Sequence, residues 1–148
     1  MDNLHHGTAK LAADVHFSLV ENHVECKLVR KKVLIVDDSP AQVKFIQGLL
    51  EPEGYAPVGL NDPKRVEEFL ANDRPSIILL DVVMPERNGF QVCRELKGNA
   101  EFNAIPVILV TSKDTPSDKY WGEQQGADGY VTKPFTREDL LRAVRRFV

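Results

Sequence analysis

Residues 33–40 read Val33-Leu34-Ile35-Val36-Asp37-Asp38-Ser39-Pro40, an apolar run followed by two adjacent carboxylates and a helix-start signal. The run is strand-length and continuously apolar rather than alternating, which marks a strand covered on both faces. Ser39 offers an N-cap and Pro40 a first-turn proline, and Val43, Ile46, Leu49 and Leu50 then recur at helical spacing until Gly54. A buried strand that ends in aspartates and turns directly into a helix is one β/α unit.

The unit repeats down the chain. Ile77-Ile78-Leu79-Leu80 and Val107-Ile108-Leu109-Val110 are further branched apolar runs of strand length. Asp62-Pro63 repeats the cap-plus-proline signal ahead of Val66, Phe69 and Leu70, and a third helix is expected from Asn88-Gly89, burying Phe90, Val92, Cys93 and Leu96. Ala56 to Leu60 reads as the second strand, and Pro57, which lacks a ladder donor, assigns it to the sheet edge. A fourth helix is expected over Pro116 to Gln125 despite Gly122, whose cost in a helix is roughly 1 kcal/mol relative to alanine. A last helix follows Thr136, with Asp139 completing a weak capping box and Leu140, Leu141, Val144 and Phe147 on one face. Five strands alternating with five helices give an α/β fold of flavodoxin-like type, a doubly wound five-stranded parallel sheet of order 2-1-3-4-5.

Residues 1–30 differ in character and are read as an N-terminal extension to a domain spanning residues 31–148. Val15, Phe17 and Leu19 alternate with polar residues, and the alternation resumes at Val24, Cys26 and Leu28, as in a β-hairpin. An isolated hairpin is marginal in water, so its apolar face is expected to pack on the domain or on a second chain; a partner-recognition arm, disorder and a helix are the alternatives.

With 43% hydrophobic and 28% charged residues over 148 positions, the composition is that of a soluble globular chain. The net charge of −3 argues against nucleic-acid binding, and Arg30-Lys31-Lys32 reads as a solvated cluster. No apolar run approaches the roughly 20 residues of a membrane span. Two distant cysteines, Cys26 and Cys93, and the absence of a signal-peptide pattern fit a cytoplasmic location. His5, His6, His16 and His23 fall in different local patterns and are not read as a metal cluster.

In open parallel sheets the ligand crevice lies at the carboxyl ends of the strands. There the sequence places Asp37 and Asp38, Asp81, Thr111 and Lys133. Three convergent carboxylates resist ionising together without a cation, and Mg²⁺ suits an open acidic site of this kind. Asp37, Asp38 and Asp81 are its expected ligands, with a backbone carbonyl at Val83. Asp81 is placed to act as a nucleophile on a phosphoryl group, with Lys133 and Thr111 contacting the phosphoryl oxygens.

The motifs Val33 to Ser39, Leu79-Leu80-Asp81-Val82-Val83-Met84-Pro85 with Gly89, Val110-Thr111-Ser112, and Gly129-Tyr130-Val131-Thr132-Lys133-Pro134-Phe135 resemble receiver domains of bacterial response regulators, of the chemotaxis-regulator type. The stretch from Ser112 to Ala127 also looks like receivers of type IV pilus twitching motility. The resemblance covers residues 33–148. It implies Asp81 as phosphoacceptor, Tyr130 as an aromatic switch coupled to Thr111, and a cis Lys133-Pro134 bond. It further implies a single-domain response regulator, not an enzyme beyond self-phosphorylation from small donors and autodephosphorylation. A sensor histidine kinase would phosphorylate it, and a downstream effector protein would bind the phosphorylated form. Homodimerisation would use the extension or the face of the fourth helix, fifth strand and fifth helix. A phosphorelay intermediate or phosphate sink is the alternative. A transcription regulator would need a DNA-binding module that some 30 extra residues cannot supply. A haloacid-dehalogenase-like phosphatase would carry a second Asp where Val83 stands.

Overall fold

The computed structural model describes the backbone of residues 13–20 and 23–148 and the side chains of residues 29–148. Strands β1 (Ala13–Val20) and β2 (His23–Arg30) pair antiparallel in a sheet of their own, with Ala13 opposite Arg30 and Val20 opposite His23. The expected hairpin is thus present, while the packing of its apolar positions falls outside the described side chains.

From Lys32 onward every strand lies in one parallel sheet. β3 (Lys32–Val36), β4 (Ala56–Leu60), β5 (Ile77–Leu80), β6 (Val107–Thr111) and β7 (Gly129–Thr132) are arranged β4-β3-β5-β6-β7, the 2-1-3-4-5 order expected from the alternating pattern. Side chains alternate strictly across it. Val33 and Ile35, Ile77 and Leu79, Ile108 and Val110 project to one face, under α1 (Pro40–Leu50) and α5 (Arg137–Arg145). Leu34 and Val36, Ile78 and Leu80, Val107 and Leu109 project to the other. There they meet Val66 and Leu70 of α2 (Val66–Asn72) and Val92, Cys93 and Leu96 of α3 (Gly89–Lys97). This double burial is why the strands read as unbroken apolar runs.

Local details follow from residue chemistry. The Ala56 amide donates to the Lys31 carbonyl, so alternate N–H groups of β4 face β3 and position 57 faces the free edge, where a proline leaves no broken bond. Ser39 caps α1 by accepting from the Gln42 amide. The helix stops at Leu50 rather than running to Gly54: Pro52 cannot donate to the preceding turn, a 3-10 turn covers Glu51–Glu53, and Gly54 reverses the chain at φ 93°. α2 begins later than its cap signal, because Asp62 and Pro63 start a 3-10 turn over Pro63–Arg65 and the α-helix follows from Val66, covering the whole stripe. Phe90 is half-buried against the core rather than within it. Reciprocal capping boxes begin α3 at Asn88 and Gln91, α4 (Pro116–Gln124) at Thr115 and Asp118, and α5 at Thr136 and Asp139. Burial pushes the Cys93 thiol up to about 11, so it is a core residue with little thiolate character.

Gly122 in α4 has a packing reason. A Cβ there would lie 3.0 Å from Leu109 Cδ1 and 3.2 Å from two ring carbons of Tyr130. The helix accepts the cost of a glycine so that α4 can close on β7.

Candidate phosphoacceptor site

Each candidate residue stands at or just beyond the carboxyl end of a strand. Asp37 and Asp38 follow β3, Asp81 follows β5, Thr111 ends β6 and Lys133 follows β7. These strands are adjacent in the sheet, so residues nearly a hundred positions apart converge on one crevice. Carboxylate oxygens of Asp37, Asp38 and Asp81 all lie within 4.8 Å of one another. Asp37 is 3% exposed and Asp81 8%, whereas Asp38 is open to solvent.

The cluster is tied down from several sides. Lys133 Nζ donates to Asp37 Oδ2 at 3.0 Å and lies 3.7 Å from Asp81 Oδ1. Asp37 Oδ1 accepts from the Ser39 amide at 3.0 Å, and the Asp37 carbonyl accepts from Asn61 Nδ2 at 2.8 Å. Asp81 Oδ1 accepts from the Val82 amide at 2.8 Å. Val83 faces solvent, 56% exposed. The peptide bond between Lys133 and Pro134 is cis.

Thr111 is fully buried, and its hydroxyl accepts from the Lys113 amide at 3.3 Å. The Tyr130 ring is half-buried with its hydroxyl donating to the Lys113 carbonyl at 2.6 Å. One residue of the β6–α4 loop therefore touches both Thr111 and Tyr130. Burial pushes the Tyr130 phenol up to about 12, helped by Asp118 and Asp114. Trp121 and Tyr120 are exposed on α4.

Burial is the main influence raising the Asp81 carboxyl above the usual aspartate range, the Asp37 charge adds to it, and Lys133 and the backbone amides oppose it. Three carboxylates, two of them buried, face one ammonium, a formal excess of two negative charges. That balance and the all-oxygen donor set fit a divalent cation such as Mg²⁺.

The raised Asp81 pKa carries a stability consequence. The folded protein holds this proton more tightly than the unfolded chain, so stability falls as pH rises from the ordinary aspartate range through the folded value. Asp81→Asn is therefore expected to raise Tm at pH 7 in EDTA, with the gain shrinking as pH falls through the raised folded value and gone below about 4. Thermal melts across pH check this; a gain independent of pH would contradict it.

Two residues at the site went unremarked in the sequence. Asn61, just past β4, braces the Asp37 backbone, and a lone Asn after an edge strand carries no signal of that. Arg87 lies in the loop after Asp81 and binds two helices. Its only signal is a charged residue between Pro85 and Gly89.

Residues 33–145 match the family model of the response regulator receiver domain. Over 113 residues the chain is 42% identical to the protein PilH of Pseudomonas aeruginosa, covering 76% of this chain and 93% of that one. Among solved structures, the Vibrio cholerae chemotaxis protein CheY4 superposes with a TM-score of 0.74 at 29% identity, over 80% of this chain and 98% of the other. The receiver domain of the sensor histidine kinase PA1611 from Pseudomonas aeruginosa superposes with a TM-score of 0.72 at 26% identity, over 79% and 96%. That structure has a magnesium ion coordinated in its active-site cleft.

Proposed function

The chain belongs to the response regulator receiver domain family, and on that premise we propose that it is a phosphorylation switch with Asp81 as the phosphoacceptor. The observation that carries the reading is the convergence of Asp37, Asp38, Asp81 and Lys133 within hydrogen-bonding or near-contact range at the carboxyl ends of three strands. We take residues 31–148 as the receiver and residues 1–30 as an extension.

In this reading Asp37, Asp38 and Asp81, with the Val83 carbonyl, would hold Mg²⁺, which when bound neutralises phosphoryl oxygens. The remaining chemistry belongs to the chain. The ionised Asp81 oxygen attacks phosphorus in line, forming an acyl phosphate as the donor's bond to phosphorus breaks and the leaving group departs. Lys133 moves its ammonium from Asp37 toward the incoming anion, and the Thr111 hydroxyl turns to donate to another phosphoryl oxygen. Because Lys113 links Thr111 to Tyr130, a shift at Thr111 is passed to the ring packed on Gly122, biasing the α4, β7 and α5 face. A sensor histidine kinase would supply the phosphoryl group, an effector protein would bind the switched face, and the cytoplasm is the compartment. Among the described residues no helix is long and apolar enough to cross a membrane. A homodimer would form through the extension or the α4, β7 and α5 face.

The test is incubation with acetyl phosphate and Mg²⁺ followed by intact mass. One phosphoryl group is expected on the wild type and none on Asp81→Asn; no addition to either would refute the phosphoacceptor role. A second reading, a relay intermediate passing the group on to a histidine domain, is supported by the likeness to a receiver from a histidine kinase. Transfer of label from the phosphorylated chain to a phosphotransfer domain distinguishes it.

Val83 has a kinetic consequence. In receivers the residue two past the phosphoacceptor influences hydrolysis, and an exposed valine cannot orient an attacking water. The acyl phosphate is therefore expected to be long-lived. Val83→Asn should speed its decay in Mg²⁺ buffer about tenfold, well under what a fully placed acid or base contributes. An unchanged or slower decay counts against the role given to Val83.

A further inference from the structure

The loop from Val82 to Asn88, which joins β5 to α3, is fastened by a side chain that the phosphoryl chemistry does not use. Arg87 is 14% exposed and spends its whole guanidinium on partners outside the loop. Nη1 and Nη2 bind the two oxygens of Glu67 in α2 at 2.8 and 2.5 Å, Nε and Nη2 bind Glu95 Oε1 in α3 at 3.0 and 2.6 Å, and Nη1 also donates to the Pro63 carbonyl at 2.8 Å. This planar fork bridges two helices and the turn before one of them, a geometry a lysine cannot reproduce. Beside it Glu86 adopts φ 69°, the left-handed region, which a non-glycine residue keeps only when its surroundings hold it there. Lys64 pairs with the same Glu86 at 2.8 Å, a second tie between the loop and the start of α2. The far end of the loop is set by the Gly89 amide on the Val82 carbonyl at 2.9 Å.

We infer that Arg87 is a positioning residue for the phosphoacceptor loop: by locking residues 82–88 to α2 and α3 it holds the Val83 backbone beside Asp81 and thereby sets the affinity of the acidic cluster for a divalent cation. This rests on the cation reading of the cluster given above. Arg87 touches none of Asp37, Asp38 and Asp81 among its hydrogen bonds, so its influence runs through backbone position. Positioning and bare electrostatics predict opposite signs. Removing a positive charge near an acidic cluster strengthens cation binding by charge alone, whereas releasing the loop weakens it.

The experiment uses the full chain with Mg²⁺ alone, titrated by calorimetry, together with amide hydrogen exchange of the metal-free protein. Arg87→Met is expected to weaken Mg²⁺ binding roughly tenfold, as loss of groups that orient metal ligands commonly does. It should also speed exchange across residues 82–88 while β5 and β6 stay protected. Glu67→Gln should weaken binding less and add nothing in the Arg87→Met background, because both act through one contact. Arg87→Lys, which keeps the charge and loses the fork, covers the case in which Arg87→Met fails to fold and should shift both readouts in the same direction. Unchanged exchange in the loop overturns the clamp whatever the metal does. Faster exchange with equal or tighter Mg²⁺ binding overturns its link to the site. A wild-type chain that binds no Mg²⁺ overturns the cation reading itself and that link with it, while the exchange result still decides the clamp.

Discussion

Gly89→Ala is expected to destabilise the protein by about 3 kcal/mol or more, a fall in Tm on the order of 10 °C for a domain of this size. Gly89 is the first residue of α3 and is buried against the Asp81 backbone. An added Cβ would overlap the Asp81 carbonyl and crowd the Val82 Cα at 2.8 Å. These obstacles are backbone atoms of β5's end, already fixed by the Asp81 amide on the Val36 carbonyl and the Gly89 amide on the Val82 carbonyl, both at 2.9 Å. No side chain can swing aside, so either α3 withdraws from the sheet or the Asp81 peptide shifts out of line. Both routes damage the site as well as the fold, and the variant should also lose Mg²⁺ binding. Gly48→Ala is the matched control. That position is exposed within α1 with nothing within 4 Å of a new Cβ, so alanine should stabilise by up to about 1 kcal/mol. Urea denaturation of the two variants beside the wild type decides the matter. Equal effects would mean that Gly89 is not held by its neighbours as described.

Lys133→Met should lower the rate of phosphoryl uptake from acetyl phosphate about 100-fold at saturating Mg²⁺, the scale of losing one preorganised charge partner for a transferring group. Lys133 is the only cation among the described residues shown in contact with the cluster, touching Asp37 directly and Asp81 at 3.7 Å. Its removal acts before any donor arrives. The lysine is the principal influence holding the Asp81 pKa down against burial, so the variant should ionise this carboxyl less readily. The deficit in rate is thus expected to be largest at low pH and to narrow as pH rises. Stability should fall in EDTA, since two buried carboxylates are left without their ammonium, and recover in part when Mg²⁺ is added. A loss of rate that is flat with pH and unaccompanied by any Mg²⁺-dependent change in Tm would place Lys133 outside the charge balance of the site.

The particular elements differ in how far they could be foreseen. β3, β5 and β6 are legible because burial on both faces of a parallel sheet admits only apolar residues, and no surface helix imitates such a run. The edge position of β4 followed from one residue, Pro57, whose missing donor fits the free side. Helix ends were less legible. The 3-10 turns at Glu51–Glu53 and Pro63–Arg65 arise from prolines that start a turn but cannot continue its hydrogen bonding, and an apolar stripe does not report this. The capping box at Thr115 and Asp118 was there to be read, yet the stripe of α4 is faint, because Tyr120 and Trp121 face outward.

By itself the sequence determined the sheet, its strand order and the family, because these depend on periodicity, on chain-crossing rules and on motifs at the strand ends. It also named Asp37, Asp38, Asp81 and Lys133, which meet in the crevice, since the strand order alone makes their positions adjacent. The tertiary structure alone decided how those residues are connected: that Lys133 rests on Asp37, that Lys113 joins Thr111 to Tyr130, that Gly122 makes room for that tyrosine, and that Arg87 fastens the loop after Asp81. Each of these is a contact between segments well apart in the chain or an orientation set by packing. Periodicity records which face a residue takes, and distance between such segments exists only once the helices have closed on the sheet.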